Sequence, residues 1–303
     1  MTATVWLLLV VSGQAAAAPA RMPEDAALAT KIEKLLHTVL TTDNDAEDAA
    51  AKAEMKTLFE RRGLPTIAEV GNEAAYEFVV LAFYQQPADF RARVLVEARQ
   101  AAQQHEIPAD ALMFLEARAR RERATELSRK TPPANPDLRD DILRMAEADQ
   151  RVRQRKDFDA AKMEETDKQN EAPLRNIIDK YGVPTISMVG PKAANAFVLM
   201  VQHQSAEFRQ RVLPGLKANV DAGEADPEAY ALVYDRLQRN MGRKQFYGTQ
   251  LECIANGTLE EAPLEDPAGV DERRAELGML RLALYERVVR VVTPNVCQAG
   301  ARP

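Results

Sequence analysis

The chain has 303 residues, 46% of them hydrophobic and 28% charged, which fits a soluble globular protein of one large or two ordinary domains. A net charge of -6 argues against a nucleic-acid partner, which would need a basic face, and the signs are mixed so that no half reads as a charged tail. Few glycines and aromatics, with much Ala, Leu, Glu and Arg, favour helices over strands.

The first twenty residues, MTATVWLLLVVSGQAAAAPA, hold an apolar run from Val5 to Val11 and then small residues in A-x-A patterns. This is the layout of a secretory signal peptide over 1–20, too short to anchor in a bilayer. Cleavage after Ala17 or Ala20 suits the pattern better than after Ala18, which Pro19 follows; no Lys or Arg precedes the run. The expected product is exported, periplasmic or secreted, with no stable membrane span after signal removal. Export bears on Cys253 and Cys297, the two cysteines of the chain. In an oxidising compartment an even count suggests a disulfide, and a loop of roughly 45 residues would contribute about 3–4 kcal/mol in the chain-entropy model. Two free buried thiols are the alternative.

Further on, the chain repeats itself. GLPTIAEVGNEAAYEFVVLAFYQQPADFRARVL from Gly63 matches GVPTISMVGPKAANAFVLMVQHQSAEFRQRVL from Gly182, each after a short amphipathic run, TLFERRG or NIIDKYG. The pattern predicts a duplicated helical unit of roughly 110 residues: 21–130, a linker at 131–136 (TPPANP), and 137–303 with an irregular C-terminal extension. Thr66 and Glu69 form a capping box, Gly71 and Gly190 end a short helix, and Pro191 suits the next first turn. Asn135-Pro136-Asp137 and Asp226-Pro227-Glu228 each start a helix. No stretch alternates as a strand does, so the predicted fold is all-α.

The copies differ in one respect. Phe83-Tyr84 of the first aligns with Gln202-His203 of the second, and Leu115-Glu116 with Asp235-Arg236. The polar stretch Gln245-Phe246-Tyr247-Gly248-Thr249-Gln250 has no counterpart before the linker. Folding the unit does not demand these polar groups, so the second copy is expected to hold a site and the first to be scaffold.

At these residues the sequence resembles the family catalogued as domain of unknown function 6624, over roughly 142–285. The resemblance rests on Asp149-Gln150 with Arg153, an Asn at Asn170, Gly182, Pro184, Thr185, Val189 and Gly190. It continues through Gln202-His203, Asp235-Arg236, the Gln245–Gln250 motif and VDERRAELGM from Val270, and departs at Val183, where an aromatic is expected. The resemblance implies that the first copy is a degenerate relative rather than a second full member, and it brings no activity with it.

His203 is the candidate general base, since histidine is the side chain that titrates near neutrality. Asp235 would orient it, Arg236 and Arg153 would clamp an anion, and Gln150, Gln202, Gln245, Tyr247 and Gln250 would complete a pocket. His37 and His105 have nothing to distinguish them. No H-E-x-x-H, paired C-x-x-C, P-loop, G-x-G-x-x-G or G-x-S-x-G occurs, so no metal or cofactor is expected. Three readings follow: a module binding a small polar or anionic ligand, a hydrolase or lyase using His203, and a structural or protein-interaction module. Amide and phenol side chains bind better than they catalyse, which places binding first.

Overall fold

The computed structural model describes residues 23–84, 86–153, 159–254, 257–293 and 297; the expected signal segment lies outside them. Among the described residues five helices come first: α1 (Ala26–Thr41), α2 (Asp45–Arg62), α3 (Ile67–Phe83), α4 (Ala88–Gln103) and α5 (Ala109–Lys130). Then come α6 (Pro136–Arg153), α7 (Ala160–Tyr181), the one-turn α8 (Ile186–Val189), α9 (Pro191–His203), α10 (Ala206–Asp221) and α11 (Pro227–Asn240). A small antiparallel hairpin of β1 (Leu251–Cys253) and β2 (Leu259–Glu261) leads into α12 (Val270–Glu276) and α13 (Leu282–Val292). The fold is all-α, with the hairpin confined to the C-terminal extension.

The local signals act as their chemistry requires. Thr66 and Glu69 satisfy each other's orphan amides, at 3.2 and 2.8 Å, where α3 begins. Asn135 Oδ1 accepts from Leu138 N, and Asp226 Oδ1 from Glu228 N, at the starts of α6 and α11. Gly71 (φ +84°) breaks α3 internally, and Gly190 (φ +81°) separates α8 from α9, where Pro191 takes the first position. Both glycines occupy backbone that a side chain would strain.

The two halves share local geometry beyond these breaks. Ile67 N donates to Glu106 O at 2.7 Å, and Ile186 N donates to Glu224 O at 2.9 Å. The turns before α5 and α11 each hold a positive φ, at His105 (57°) and Gly223 (74°). Asp25 N reaches Glu69 O and Asn135 N reaches Met188 O, both at 2.8 Å. The stretch expected to be a linker is therefore docked at its end, with Ala134 and Asn135 hydrogen-bonded to α8.

Counting from these turns corrects one alignment. Asp235 stands level with Ala117 and Arg236 with Arg118, two residues beyond Leu115-Glu116, because α5 starts at Ala109 and α11 at Pro227. The same register sets Ile32 beside Ile142 and Met55 beside Leu174, all fully buried. It also sets Val39 beside Asp149 and Ala51 beside Asn170, so two buried apolar positions of the first half are polar in the second.

Each half has its own core, around Ile32, Leu36, Phe78 and Phe114 in one and Ile142, Leu174, Phe197 and Phe208 in the other. The C-terminal extension ties them together. Arg281 donates to Asp110 at 2.6 and 2.8 Å and to Glu73 at 2.7 Å, with its guanidinium 4.1 Å from the Tyr76 ring centre. Arg118 also pairs with Glu228 at 2.5 Å and Arg121 with Asp226, joining α5 directly to the start of α11. Among the described residues no helix is long and apolar enough to cross a membrane.

Candidate functional site

The α9 helix ends in Gln202-His203, and the imidazole meets α6. His203 Nδ1 lies 3.2 Å from Asp149 Oδ2, at ion-pair range, although the ring N–H is not aligned on that oxygen. Asp149 is fully buried and has further partners. Arg153 donates from Nε to Oδ2 and from a terminal nitrogen to Oδ1, both at 3.1 Å. Gln150 Nε2 donates to Oδ2 at 2.9 Å and Asn170 Nδ2 to Oδ1 at 3.3 Å. Burial alone would raise the Asp149 pKa, but His203 and Arg153 outweigh it and hold the carboxyl down at about 2. Asp149 is therefore an anion in the fold, spaced i,i+4 from Arg153 but far from an ordinary surface pair.

Arg153 continues to Asp167 on α7, whose pKa is raised by burial. Asp149, Asp167 and His203 bring donor atoms within 4.8 Å of one another, a spacing that suits a metal ion. The Arg153 guanidinium bonds both carboxylates, so a positive charge of the chain itself already fills that role.

Opposite these residues stands a cationic wall. A cleft of about 550 Å³ runs between them, reached by Arg153, Gln202, His203, Arg209, Arg236 and Gln250. Arg209, at the start of α10, is buried and donates to Gln202 O at 2.8 Å, to Gln204 O, and to Asn240 Oδ1 at 2.9 Å. Arg236 Nε donates to Gln250 Oε1 at 3.3 Å. Among the described residues neither arginine has a carboxylate within 4 Å, whereas Arg239 pairs with Glu252. Burial and the nearby Arg236 pull the Arg209 pKa down to about 10; burial and Arg153 lower that of Arg236.

The Gln245–Gln250 stretch forms the rim, and Asp235 holds it rather than His203. Asp235 is fully buried. Its carboxylate accepts from the amides of Phe246 (2.7 Å), Tyr247 (3.0 Å) and Thr249 (2.9 Å) and from Thr249 Oγ1 (2.9 Å). Those bonds use the oxygens that were expected to orient the imidazole, and the carboxylate at ion-pair range of the ring is that of Asp149. Gln245 is also enclosed, donating to Gln250 O at 3.1 Å and Ala262 O at 2.6 Å while its Oε1 accepts from Gln250 N at 2.9 Å. Tyr247 faces a cluster of rings, with Phe246, Tyr234 and Tyr230 at 4.9, 5.9 and 6.2 Å between centres. Gln245 and Tyr247 thus build the loop, and Gln250 is its residue on the cleft.

Sequence reasoning left the VDERRAELGM run without a role. Arg273 Nε donates to Phe246 O at 3.0 Å, and the buried Arg274 donates to Tyr247 O at 2.6 Å. The loop's amides thus converge on Asp235 and two of its carbonyls on this arginine pair. Arg209, Asn240 and Asp167 were also missed. Arg209 aligns with Arg91 in a segment whose sequence the two halves share, so the two halves show no polar contrast there.

The disulfide expectation has direct geometry. The sulfurs of Cys253, on β1, and Cys297 are 2.12 Å apart, and their Cα atoms 5.3 Å, within disulfide range. The bond joins the chain just past the rim to the tail.

One described family covers the stretch of chain that carries all of these parts, from Asp149 and Arg153 through Gln202-His203 to the looped rim and its arginine staples. "Family of unknown function (DUF6624)" matches residues 136–293, just over half the chain. The chain belongs to this family. In this member the matched region starts with α6 and ends with α13, so it includes the cleft and the extension that braces it. No curated protein and no solved structure matches the chain.

Proposed function

We propose that the protein binds a small anionic or polar ligand in the cleft between His203, Arg236 and Gln250. The observation that carries this reading is the pair of Arg209, buried, and Arg236, half-buried, two guanidinium groups on one cleft with no carboxylate within 4 Å of either among the described residues. Cations withdrawn from water without counter-charges are costly, and a bound anion would repay that cost. Gln202, Gln250 and Arg153 add neutral and charged groups to the same opening. The ligand is expected to raise the melting temperature saturably, and Gln250→Ala or Arg236→Gln to weaken that rise. A panel of small anions, sugars and amides read by thermal melting tests this; a panel without effect overturns it.

A second reading has its own support. His203 is backed by an ionised, buried carboxylate at 3.2 Å, as a general base would need, in a cleft with an anion clamp. Under that reading a hydrolase or lyase loses turnover in His203→Ala while its fold and ligand affinity remain. Under the binding reading the same variant changes affinity alone.

Two further features belong with the proposal. The matched turns and caps support descent of both halves from one duplicated helical unit, with Val39 and Ala51 marking where the first half kept apolar contacts. The Cys253–Cys297 pair and the leading apolar segment support export to an oxidising compartment.

A further inference from the structure

Resting on the reading of the cleft as a ligand site, we propose that its anchor is a phosphate-class oxyanion subsite made by Arg209 and Arg236. The second half holds it because, among the described residues, Arg209 and Arg236 lack the carboxylate partners that Arg91 and Arg118 have at the same places in the first half.

The comparison is between two sets of three arginines. In the register set by the shared turns, Arg91, Arg118 and Arg121 of the first half stand at the places of Arg209, Arg236 and Arg239. Arg91 donates to Gln86 O as Arg209 donates to Gln204 O, so the local arrangement belongs to the fold. The neutralisation does not. Arg91 Nε donates to Glu122 Oε2 at 3.0 Å, Arg118 pairs with Glu228 at 2.5 Å, and Arg121 pairs with Asp226. At the register of Glu122 the second half has Asn240, whose Oδ1 accepts from Arg209 at 2.9 Å: the bond is kept and the charge removed. Among the described residues Arg236 meets the amide oxygen of Gln250 and no carboxylate, and Arg239 is the one of the three that pairs with a carboxylate, Glu252.

The donors on the cleft point the same way. Among the described residues Arg209 Nε, Arg239 Nε and Gln204 Nε2 are buried without a partner, and all are N–H groups that call for an acceptor. Gln86, Arg118 and Arg121 of the first half also have unmatched nitrogens, so charge balance rather than donor number distinguishes the arginines of the second half. A planar carboxylate has two oxygens and is well served by one guanidinium fork. A phosphate presents oxygens in several directions, which suits two forks arriving from different helices, α10 and α11.

The test is thermal melting of the full chain, titrated with inorganic phosphate, methyl phosphate or acetate at constant ionic strength. Wild type is compared with Arg236→Gln and Asn240→Glu. The latter gives Arg209 the counter-charge that Arg91 has, at an exposed helix end. The expected result is a saturable rise with phosphate that exceeds the rise with acetate. Each variant should weaken phosphate by at least about tenfold, with its unliganded melting temperature near that of wild type. Methyl phosphate binding tighter than inorganic phosphate assigns the subsite to a phosphorylated ligand, and the reverse order to the free ion. Phosphate affinity that survives Asn240→Glu overturns the proposal, even if Arg236→Gln fails to fold. If neutral ligands bind through Gln250 while phosphate does not, the oxyanion subsite falls and the ligand site stands. If neither phosphate nor neutral ligands bind, both fall.

Discussion

His203 Nδ1 lies 3.2 Å from Asp149 Oδ2, joining the end of α9 to the interior of α6. At the register of Asp149 the first half has Val39, a residue that needs no partners. Burying a carboxylate there costs several kcal/mol unless it is paired and hydrogen-bonded, and Arg153, Gln150, Asn170 and His203 surround it for that reason.

Acid stability should register this carboxylate. Its folded pKa, about 2, lies below the ordinary 3.8, so its contribution is complete above pH 3.8 and disappears as pH falls through 2. The difference corresponds to about 2 kcal/mol. Asp149→Asn should therefore be less stable than wild type at pH 6, with the gap closing between about pH 4 and 2. Urea melts at a series of pH values check this; a gap independent of pH contradicts it.

Asp235→Ala should behave differently from any change on the cleft surface. It strands three amides and a hydroxyl of the rim, and a loss of about 3–5 kcal/mol is expected. Proteolysis near Arg243 and Lys244 should speed up with it. A variant of native stability that has lost only ligand binding would show that Asp235 acts on the ligand rather than on the rim.

Two glycines with the same backbone sign should differ in tolerance. Gly248 has φ +69°, and a Cβ there would stand 2.7 Å from Leu282 Cδ1. Gly182 has φ +75° and open space around it. Alanine at Gly182 should cost about 1 kcal/mol from backbone strain, and alanine at Gly248 about 2–3 kcal/mol with the clash added. Equal costs in chemical denaturation would contradict the close packing of the rim on α13.

Reduction of the Cys253–Cys297 pair should loosen the tail. Closing a loop of this length, with a separation of 44 residues, stabilises by up to about 4 kcal/mol in the chain-entropy model. Cys297→Ser should lower the melting temperature, and added reductant should then have no further effect. A wild-type melt insensitive to reductant would show that the tail is held by other contacts.

Much of this architecture is legible in the sequence, because it depends on local rules. Thr66-Glu69, Asn135-Pro136 and Asp226-Pro227 announce helix starts, and the repeated Gly-x-Pro-Thr-Ile announces two similar turns. Gln202, His203, Arg153, Arg236 and Gln250 were legible as a set and do share one cleft. The carboxylate behind His203 was not, because Asp149 and Asp235 both suit the chemistry and only tertiary packing decides between them. Tyr247 and Gln245 look like ligand groups by type, but their burial is set by Tyr234, Ala262 and the hairpin, which no spacing rule foretells. Arg209 was hidden by likeness to Arg91; its distinction lies in Asn240, more than thirty residues away.

The most direct test of the central claim is backbone and arginine side-chain NMR of the full chain, titrated with the strongest ligand from the thermal panel. The account predicts saturable shifts concentrated at Gln202, His203, Arg209, Arg236 and Gln250, with the first half unmoved. Shifts that scatter over the surface, or that gather around Phe83 and Arg91 in the first half, would contradict it.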